Sequence, residues 1–349
     1  MKACASYSLR AEQLPALLQR LGECADRLIA PVRVPPGDVV FHEVSAPADV
    51  VLDFGNTLVS PVAWLYPPWE EVFRVTPGEP PLVQPGKAPP SQVLFGVRPC
   101  DLAALQRLDQ FFLGGEFADD LYAAHRSRTL LVALTCATPA DSRCFCSCCD
   151  SGPYAQEGYD LQLSPVDGSY LVEVGSEPGE AIATRCADLL EPAGEQWARI
   201  REARVQEVFG ELEHKANLPA AIRRLSGEAV PAEVWERIGS RCLGCGGCSF
   251  VCPVCTCFYT TDQTQPDGTI VRVRAWDSCR LAGYTREAGG HNPRPLRSQR
   301  AERFAYHKLA YPCIEREGQP GCVGCGRCVT VCFGGVHMPL VAQMIRRGE

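Results

Sequence analysis

The sequence predicts an α/β (α+β) N-terminal domain followed by a smaller, cysteine-rich C-terminal domain. Two observations lead to this prediction: short apolar runs alternate with helical patterns early in the chain, and cysteines crowd its last third. The chain has 349 residues, of which 46% are hydrophobic, so it can bury one or two ordinary cores. We expect the boundary near residue 230, which gives domains of residues 1–230 and 231–349.

Hydrophobic periodicity and prolines define the first elements. Apolar residues recur at helical spacing through residues 11–29, which predicts an amphipathic helix. Six prolines between Thr76 and Gln92 argue against regular structure there and predict an extended loop.

The segment after this loop predicts a βαβ unit. Apolar runs at residues 93–97 and 129–134 are of the buried-strand type, and residues 101–113 between them have helical periodicity. Strand, helix and strand in this order are typical of an α/β domain.

The remaining N-terminal elements lead to the domain boundary. Residues 159–163 and 170–174 flank a Val-Asp-Gly-Ser turn, which favours a hairpin. A long polar helix is predicted over residues 195–225, and a shorter helix is predicted over 232–238, directly after Pro231.

The two parts of the chain carry opposite net charge. The overall charge of −7 divides into −13 for residues 1–235 and +6 for residues 236–349. A basic region can bind nucleic acid, but it can equally enclose an anionic cofactor, and we favour the cofactor and no nucleic acid. A local basic run in this region is expected to form a solvated or docking surface. It comprises Arg286, Arg294, Arg297, Arg300, Arg303 and Lys308.

The cysteine content points to metal or redox chemistry. There are 21 cysteines, and in a reducing compartment such thiols bind metal more often than they form disulfides. No stretch approaches the ~20 apolar residues that a bilayer requires, and the N-terminus lacks the apolar core of a signal peptide. We therefore expect a cytoplasmic protein without membrane insertion.

Two cysteine runs with the same spacing are the main functional signal. Each has the pattern Cys-x2-Cys-x2-Cys-x3-Cys of bacterial-type ferredoxins, in which the fourth cysteine binds the neighbouring cluster. The C-terminal part is therefore predicted to be a bacterial-ferredoxin-like dicluster domain with an inserted hairpin and two [4Fe–4S] clusters. The expected ligand sets are Cys242, Cys245, Cys248 and Cys332 for the first cluster, and Cys322, Cys325, Cys328 and Cys252 for the second.

A pair of zinc sites is the alternative for these runs. Zinc domains usually bring two Cys-x2-Cys knuckles together, whereas three ligands within seven residues suit an iron–sulfur cubane better. Cys255, Cys257 and Cys279 lie outside the pattern. We interpret them as buried thiols or as neighbours of a cluster, in preference to ligands of another metal.

Four N-terminal cysteines predict a further site. Cys100 and Cys136 each follow a predicted strand, and ligands of open α/β sheets bind at the carboxyl ends of neighbouring strands. Cys144 and Cys146 lie on the next loop and complete four ligands for a possible third [4Fe–4S] cluster. The alternative is a zinc-binding or reactive group of thiols. Two further cysteines crowd this loop and leave the choice of ligands open: Cys148 and Cys149.

Motifs for substrate chemistry are missing from the sequence. There is no G-x-G-x-x-G after a predicted strand, no P-loop and no His-Glu-x-x-His. No nucleophile and base form an obvious pair, so no residue is a candidate for acid-base or covalent catalysis. We therefore expect a non-catalytic electron conductor within a larger oxidoreductase.

Several motifs together resemble one family. They are Gly-Val-Arg-Pro-Cys-Asp-Leu at 96–102, Cys-Phe-Cys at 144–146, Cys-Pro-x-Cys-x-Cys-Phe at 252–258, Trp-Asp-Ser-Cys at 276–279, His-Lys-Leu at 307–309 and Cys-Val-Gly-Cys-Gly-Arg-Cys at 322–328. The combination resembles the iron–sulfur beta subunit of cytosolic sulfhydrogenases, a family that also includes the electron-transfer subunit of anaerobic sulfite reductase. The likeness covers nearly the whole chain.

This resemblance implies an electron relay between two partners. One is a flavin subunit that handles NAD(P)H, and the other is the [NiFe] catalytic part of a hydrogenase or, alternatively, the sirohaem subunit of a sulfite reductase. By the same resemblance the eight cysteines of the two runs carry over as ligands, and the four N-terminal cysteines match those of the family. A structural zinc or nucleic-acid-binding module is the alternative from another class.

Overall fold

The fold is mixed α/β. A computed structural model describes residues 5–212, 216–227 and 229–349, apart from the side chains of Cys313 and Glu317. The strands are β1 Ser6–Arg10, β2 Arg27–Val34, β3 Asp38–Glu43, β4 Trp69–Thr76, β5 Leu82–Pro85, β6 Gln92–Val97, β7 Thr129–Leu134, β8 Leu161–Val166, β9 Ser169–Val174, β10 Glu191–Pro192, β11 Phe258–Thr264 and β12 Ile270–Trp276. The helices are α1 Leu14–Gly22, α2 Pro99–Leu113, α3 Asp120–Ser127, α4 Glu177–Arg185, α5 Glu195–Glu211, α6 Leu218–Ser226, α7 Ala232–Arg241, α8 Gly247–Phe250, α9 Arg297–Leu309, α10 Tyr311–Glu317, α11 Arg327–Val331 and α12 Met338–Arg347.

The first core is built around an eight-stranded sheet with the order β10-β1-β9-β8-β7-β6-β2-β3. Its centre is parallel, because β6 pairs in parallel with β2 and β7, and β7 does so with β8. All six residues of β6 are buried, as expected for a parallel strand covered on both faces. The predicted βαβ unit is therefore present as β6, α2 and β7, with α3 added before β7.

Three predicted elements differ from the structure in their extent. The helix predicted over 11–29 ends as α1 at Gly22, and β2 begins at Arg27, because pairing with β3 and β6 overrides the continuing periodicity. The proline-rich loop contains β5, which tolerates proline since it lies at the edge of a sheet. The long polar helix is divided into α5 and α6, where Asn217 caps α6 and a proline occupies its first turn; residues 213–215 of the prediction lie outside the described residues.

The predicted hairpin before α4 is present. β8 and β9 pair antiparallel from Leu161↔Val174 to Val166↔Ser169. The turn places Asp167 and Gly168 at positive φ, which is typical of a two-residue hairpin connection.

A second, four-stranded sheet joins the two parts of the chain. Its order is β11-β12-β4-β5. Strands β11 and β12 lie between the two cysteine runs in the chain, whereas β4 and β5 precede residue 100, and β12 pairs with β4. A buried ion-pair group holds this junction: Arg274 of β12 pairs with Glu70 of β4 at 2.6 Å and with Asp119. The cysteine runs are thereby fixed against the N-terminal sheet.

A second core lies under the cysteine runs. It is formed by helices α6, α7, α9 and α12, with side chains such as Ile238, Phe304 and Ile345 fully or almost fully buried. Among the described residues, no helix has the length and apolarity that crossing a bilayer requires.

The basic run on α9 and the loop before it is only partly at the surface. Arg300 is 7% exposed and donates to the backbone carbonyls of Arg280, Arg294 and Pro295. Lys308 is 3% exposed. The expectation of one solvated or docking surface is therefore wrong for these two residues. Their side chains are buried and donate to backbone carbonyls.

Candidate metal centres

The two cysteine runs adopt the same local backbone. In each run a glycine at positive φ precedes a short helix that carries the third cysteine: Gly246 (φ 76) before α8, and Gly326 (φ 80) before α11. A left-handed residue is needed there because the chain must reverse within the ligand loop, and only glycine does so without strain. Helices α8 and α11 pack against each other, which brings the two runs side by side.

The fourth cysteine of each run lies beside the other run. Burial raises the pKa of Cys248; the nearby Arg280 guanidinium opposes this rise, and the neighbouring thiols of Cys252 and Cys332 add to it. In the second run, burial raises the pKa of Cys328 well above its ordinary value, with Cys322, Cys325 and Cys252 contributing. Cys252 also interacts with Cys325. Each predicted ligand set therefore has its crossing member close to the partner run.

Backbone N–H groups point at two of these sulfurs. Val336 donates to Cys332 Sγ at 3.1 Å, and Gly244 donates to Cys242 Sγ at 3.4 Å. Such donors stabilise thiolates and are among the features by which a protein sets cluster potentials. Cys245 differs from its neighbours because its side chain is exposed, so one side of the first run reaches the surface.

The four N-terminal cysteines line one cavity. Cys100 starts α2 after β6, Cys136 follows β7, and Cys144 and Cys146 come from the next loop. They line a space of about 320 Å³, as does Cys325 of the second run. The N-terminal thiols and the dicluster region are therefore directly adjacent.

Burial dominates the chemistry of these N-terminal thiols. It raises the pKa of Cys144 to about 11, and it raises the pKa of Cys100 well above its ordinary value. Thiols of this kind stay protonated and inert unless a metal replaces their protons. The Asn56 side-chain amide reinforces the site by donating to Cys144 Sγ (3.4 Å) and to the backbone carbonyl of Cys325 (2.7 Å).

A buried ion pair beside this cavity joins the N-terminal part of the chain to the second run. Arg327 Nη1 lies 2.7 Å from Asp101 Oδ1, and the guanidinium also donates to the backbone carbonyl of Thr57. Ser60 Oγ donates to the same carboxylate oxygen at 2.7 Å. The pair joins α2 to α11, one residue from Cys100 on one side and one residue from Cys328 on the other.

Sequence reasoning missed these supporting residues. Asp101 and Arg327 carry a local signal, since each adjoins a predicted ligand cysteine. Asn56 carries none, because it lies in a segment without a motif and reaches the cavity only through the fold. Lys308 belongs to the His-Lys-Leu motif and to the basic run, but neither pattern indicated that its ammonium lies among the thiols of Cys252, Cys255, Cys322 and Cys279.

Five of the other cysteines form two further groups. Cys149 interacts with Cys322 of the second run, and its neighbour Cys148 is half-buried. Cys255, Cys257 and Cys279 converge at the end of the hairpin formed by β11 and β12. In the part of the chain that is described, no three His, Cys, Asp or Glu side chains are arranged as a single metal ion would require.

Comparisons with known proteins agree with the cysteine pattern. Residues 241–336 match the family model of the 4Fe-4S dicluster domain. A curated relative, the sulfhydrogenase 2 subunit beta of Pyrococcus furiosus, is 29% identical over 340 residues, which cover 97% of this chain and 98% of the relative.

The comparison with solved structures gives a much weaker likeness than the comparison of sequences. A chain from the xenon-derivatised F420-reducing [NiFe] hydrogenase complex of Methanosarcina barkeri shares 12% identity, with a TM-score of 0.37 over 60% of this chain and 90% of that chain. This TM-score is too low to indicate a shared fold.

Proposed function

We propose that this chain, a homologue of the sulfhydrogenase beta subunit with a C-terminal 4Fe-4S dicluster domain, is the electron-transfer subunit of a hydrogenase-type complex. The observation that carries the proposal is the contiguity of thiol sites: two ferredoxin-type runs lie side by side, and the N-terminal cavity touches one of them through Cys325. Clusters so placed form a path for electrons.

The ligand sets that we propose for the dicluster domain cross between the runs. The neighbourhood of Cys332 and Cys248, and that of Cys252 with Cys325 and Cys328, supports this arrangement. One cluster is held by Cys242, Cys245, Cys248 and Cys332, and the other by Cys322, Cys325, Cys328 and Cys252.

A third cluster in the N-terminal cavity is also part of the proposal. Four thiols line the cavity, and neither Cys148 nor Cys149 does so. Because the donors are cysteines and the surroundings are apolar, the site suits a thiolate-bound cubane. The ligands are Cys100, Cys136, Cys144 and Cys146.

The proposed electron path has an order. Cys325 links the N-terminal cavity to the second-run cluster, and the crossing cysteines link that cluster to the first-run cluster. The exposed thiol of Cys245 then brings the first-run cluster to the surface. We propose that a flavin subunit handling NAD(P)H and the [NiFe] subunits dock at the two ends of this path, in the cytoplasm.

Anaerobic purification of the complex from its native host tests this function. The chain is expected to contain at least about 12 irons, with visible absorption that dithionite bleaches. Flavin and nickel are expected in co-eluting subunits. Sirohaem in place of nickel would assign the chain to a sulfite reductase, and a folded, iron-free chain containing zinc would refute electron transfer.

A further inference from the structure

Two buried cations lie beside the cysteine runs without a carboxylate partner. Lys308 and Arg280 are each 3% exposed. Lys308 Nζ donates to the backbone carbonyl of Val254 at 3.1 Å, and within the described residues it forms no ion pair with an acidic side chain. Arg280 likewise pairs with no carboxylate in that part of the chain, and its buried Nη1 has no hydrogen-bond partner there.

Three other buried cations of the molecule are compensated. Arg274 pairs with two carboxylates, and Arg327 pairs with one. Arg300 has three backbone carbonyls as acceptors instead. A buried charge is stable only beside opposite charge or a full set of hydrogen bonds. Lys308 and Arg280 therefore require negative charge from a source other than acidic side chains.

Lys308 adjoins two ligands of the proposed second-run cluster. Its ammonium contacts the carbonyl of Val254, which lies two residues after Cys252. Its Cα is 3.3 Å from the position that a Cβ on Gly321 would take, and Gly321 directly precedes Cys322. Burial lowers the pKa of the ammonium, but the thiols of Cys252 and Cys322, among others, raise it overall. The ammonium and the backbone of this residue thus lie beside the same ligand set.

Arg280 lies beside the ligand loop of the first run. Its carbonyl oxygen is 3.8 Å from the position that a Cβ on Gly244 would take, between the first two cysteines of that run. Its guanidinium carbon lies 4.9 Å from the centre of the Phe304 ring, which covers the charge from one side. The guanidinium also opposes the rise that burial causes in the pKa of Cys248, a proposed ligand of the first-run cluster.

A [4Fe–4S] cluster with four cysteine ligands supplies the missing negative charge. Its oxidised form carries a charge of about −2, and reduction by one electron makes this charge more negative without forming or breaking a bond to the protein. A fixed cation nearby stabilises the reduced form more than the oxidised form, and the effect is large where water is excluded. A buried cation beside a cluster therefore raises its reduction potential.

We propose that each cluster of the dicluster region has its own buried cation, Lys308 for the second-run cluster and Arg280 for the first-run cluster. Each cation compensates the charge of its cluster and raises the reduction potential of that cluster above the value it would otherwise have. The inference rests on the proposed function, because it requires both clusters. It adds to that function the side chains that separately set the two potentials.

Redox titrations of the full chain, followed by EPR under anaerobic conditions, test the proposal. Lys308→Met is expected to make the potential of the second-run cluster more negative, and Arg280→Met that of the first-run cluster, with iron content unchanged in both. Loss of a signal in Cys325→Ser or Cys245→Ser assigns it to the second-run or the first-run cluster. The matched control Arg303→Met removes an exposed charge from the helix that carries Lys308, so both potentials should stay the same.

Unchanged potentials in both cation variants, or an equal shift of both clusters in each variant, would overturn the proposal. Lys308→Gln decides the matter if Lys308→Met fails to fold, because glutamine keeps a donor for the Val254 carbonyl and removes only the charge. It should also make the second-run potential more negative, and an unaltered potential would show that the charge is unimportant. Failure of the proposed function is distinguishable, since the unsubstituted chain would then be poor in iron and have no cluster potentials to compare.

Discussion

The place of Cys332 in the fold differs from its place in the chain. It belongs to the second run by sequence, yet its thiol lies beside Cys248 of the first run. The Val336 N–H that donates to its sulfur fixes this position. Its proposed role as a ligand of the first-run cluster therefore depends on tertiary packing of α8 against α11.

Cys332→Ser is expected to alter the first-run cluster and to leave the second-run cluster unchanged, because serine removes a ligand from the crossed set. EPR of the reduced protein measures this. The signal that is lost should be the one lost in Cys245→Ser, and Cys186→Ser should lose none. If the lost signal instead equals that of Cys325→Ser, the ligand sets do not cross.

Asp101→Asn tests the buried ion pair between α2 and α11. The substitution leaves the Arg327 guanidinium buried and uncompensated, which costs about 3–5 kcal/mol of stability. We expect a lower thermal unfolding midpoint at a fixed scan rate. Asp262→Asn is the matched control: it removes an Arg272 ion pair that is nearly half exposed, so its midpoint should change little. Equal effects of the two substitutions would contradict a structural role for the pair.

At the scale of elements, the two ligand loops depend on their left-handed glycines. Gly246 and Gly326 allow the chain to enter α8 and α11 directly after the second cysteine of each run. A Cβ on Gly326 would also lie 2.7 Å from the backbone carbonyl oxygen of Arg143, close to the N-terminal cysteine loop. The second loop is therefore constrained both by its own conformation and by its neighbour.

Gly326→Ala separates these two constraints when it is compared with Gly290→Ala. Both glycines have φ near 80°, but a Cβ on Gly290 has nothing within 4 Å. Strain alone should cost about 1 kcal/mol at Gly290, whereas Gly326→Ala should cost more and should also lower the iron content per chain. Thermal midpoints and iron analysis check this. Iron loss in both variants, or in neither, would show that the close approach to the N-terminal loop is unimportant.

At the scale of the whole molecule, an apolar patch surrounds the exposed thiol of the first run. It consists of Leu243 (62% exposed), Cys245 and Phe333 (93% exposed), and it lies where Gly334 approaches Arg241 and Cys242. Exposed apolar groups beside a cluster ligand are typical of a surface that a redox partner covers. This end of the proposed electron path is where a partner subunit is expected to bind.

Phe333→Ser combined with Leu243→Ser is expected to weaken association with the partner subunit without loss of iron. The reason is that the substitutions remove apolar area at the patch and touch no ligand. The yield of partner after affinity purification measures the effect. Phe117→Ser, which changes another highly exposed phenylalanine outside the patch, is the control and should leave the yield unchanged. Equal yields for both variants would place the partner elsewhere.

The sequence alone determined the chemistry of the dicluster region. Three ligands within seven residues lie on one short loop whatever the rest of the fold does, so spacing and glycines suffice to predict a cluster site. The βαβ unit was predictable for a similar reason, because buried parallel strands are apolar throughout. The match of residues 241–336 to the 4Fe-4S dicluster domain agrees with this part of the prediction.

Only the tertiary structure decided how the sites relate to one another. The contact of Cys325 with the N-terminal cavity, the pairing of Asp101 with Arg327 and the burial of Arg300 and Lys308 all join residues far apart in the chain. Local periodicity carries no information about such contacts, since they arise when sheets and helices pack. For the same physical reason the convergence of Cys257 with Cys279 could not be read from spacing, although both cysteines were visible in the sequence.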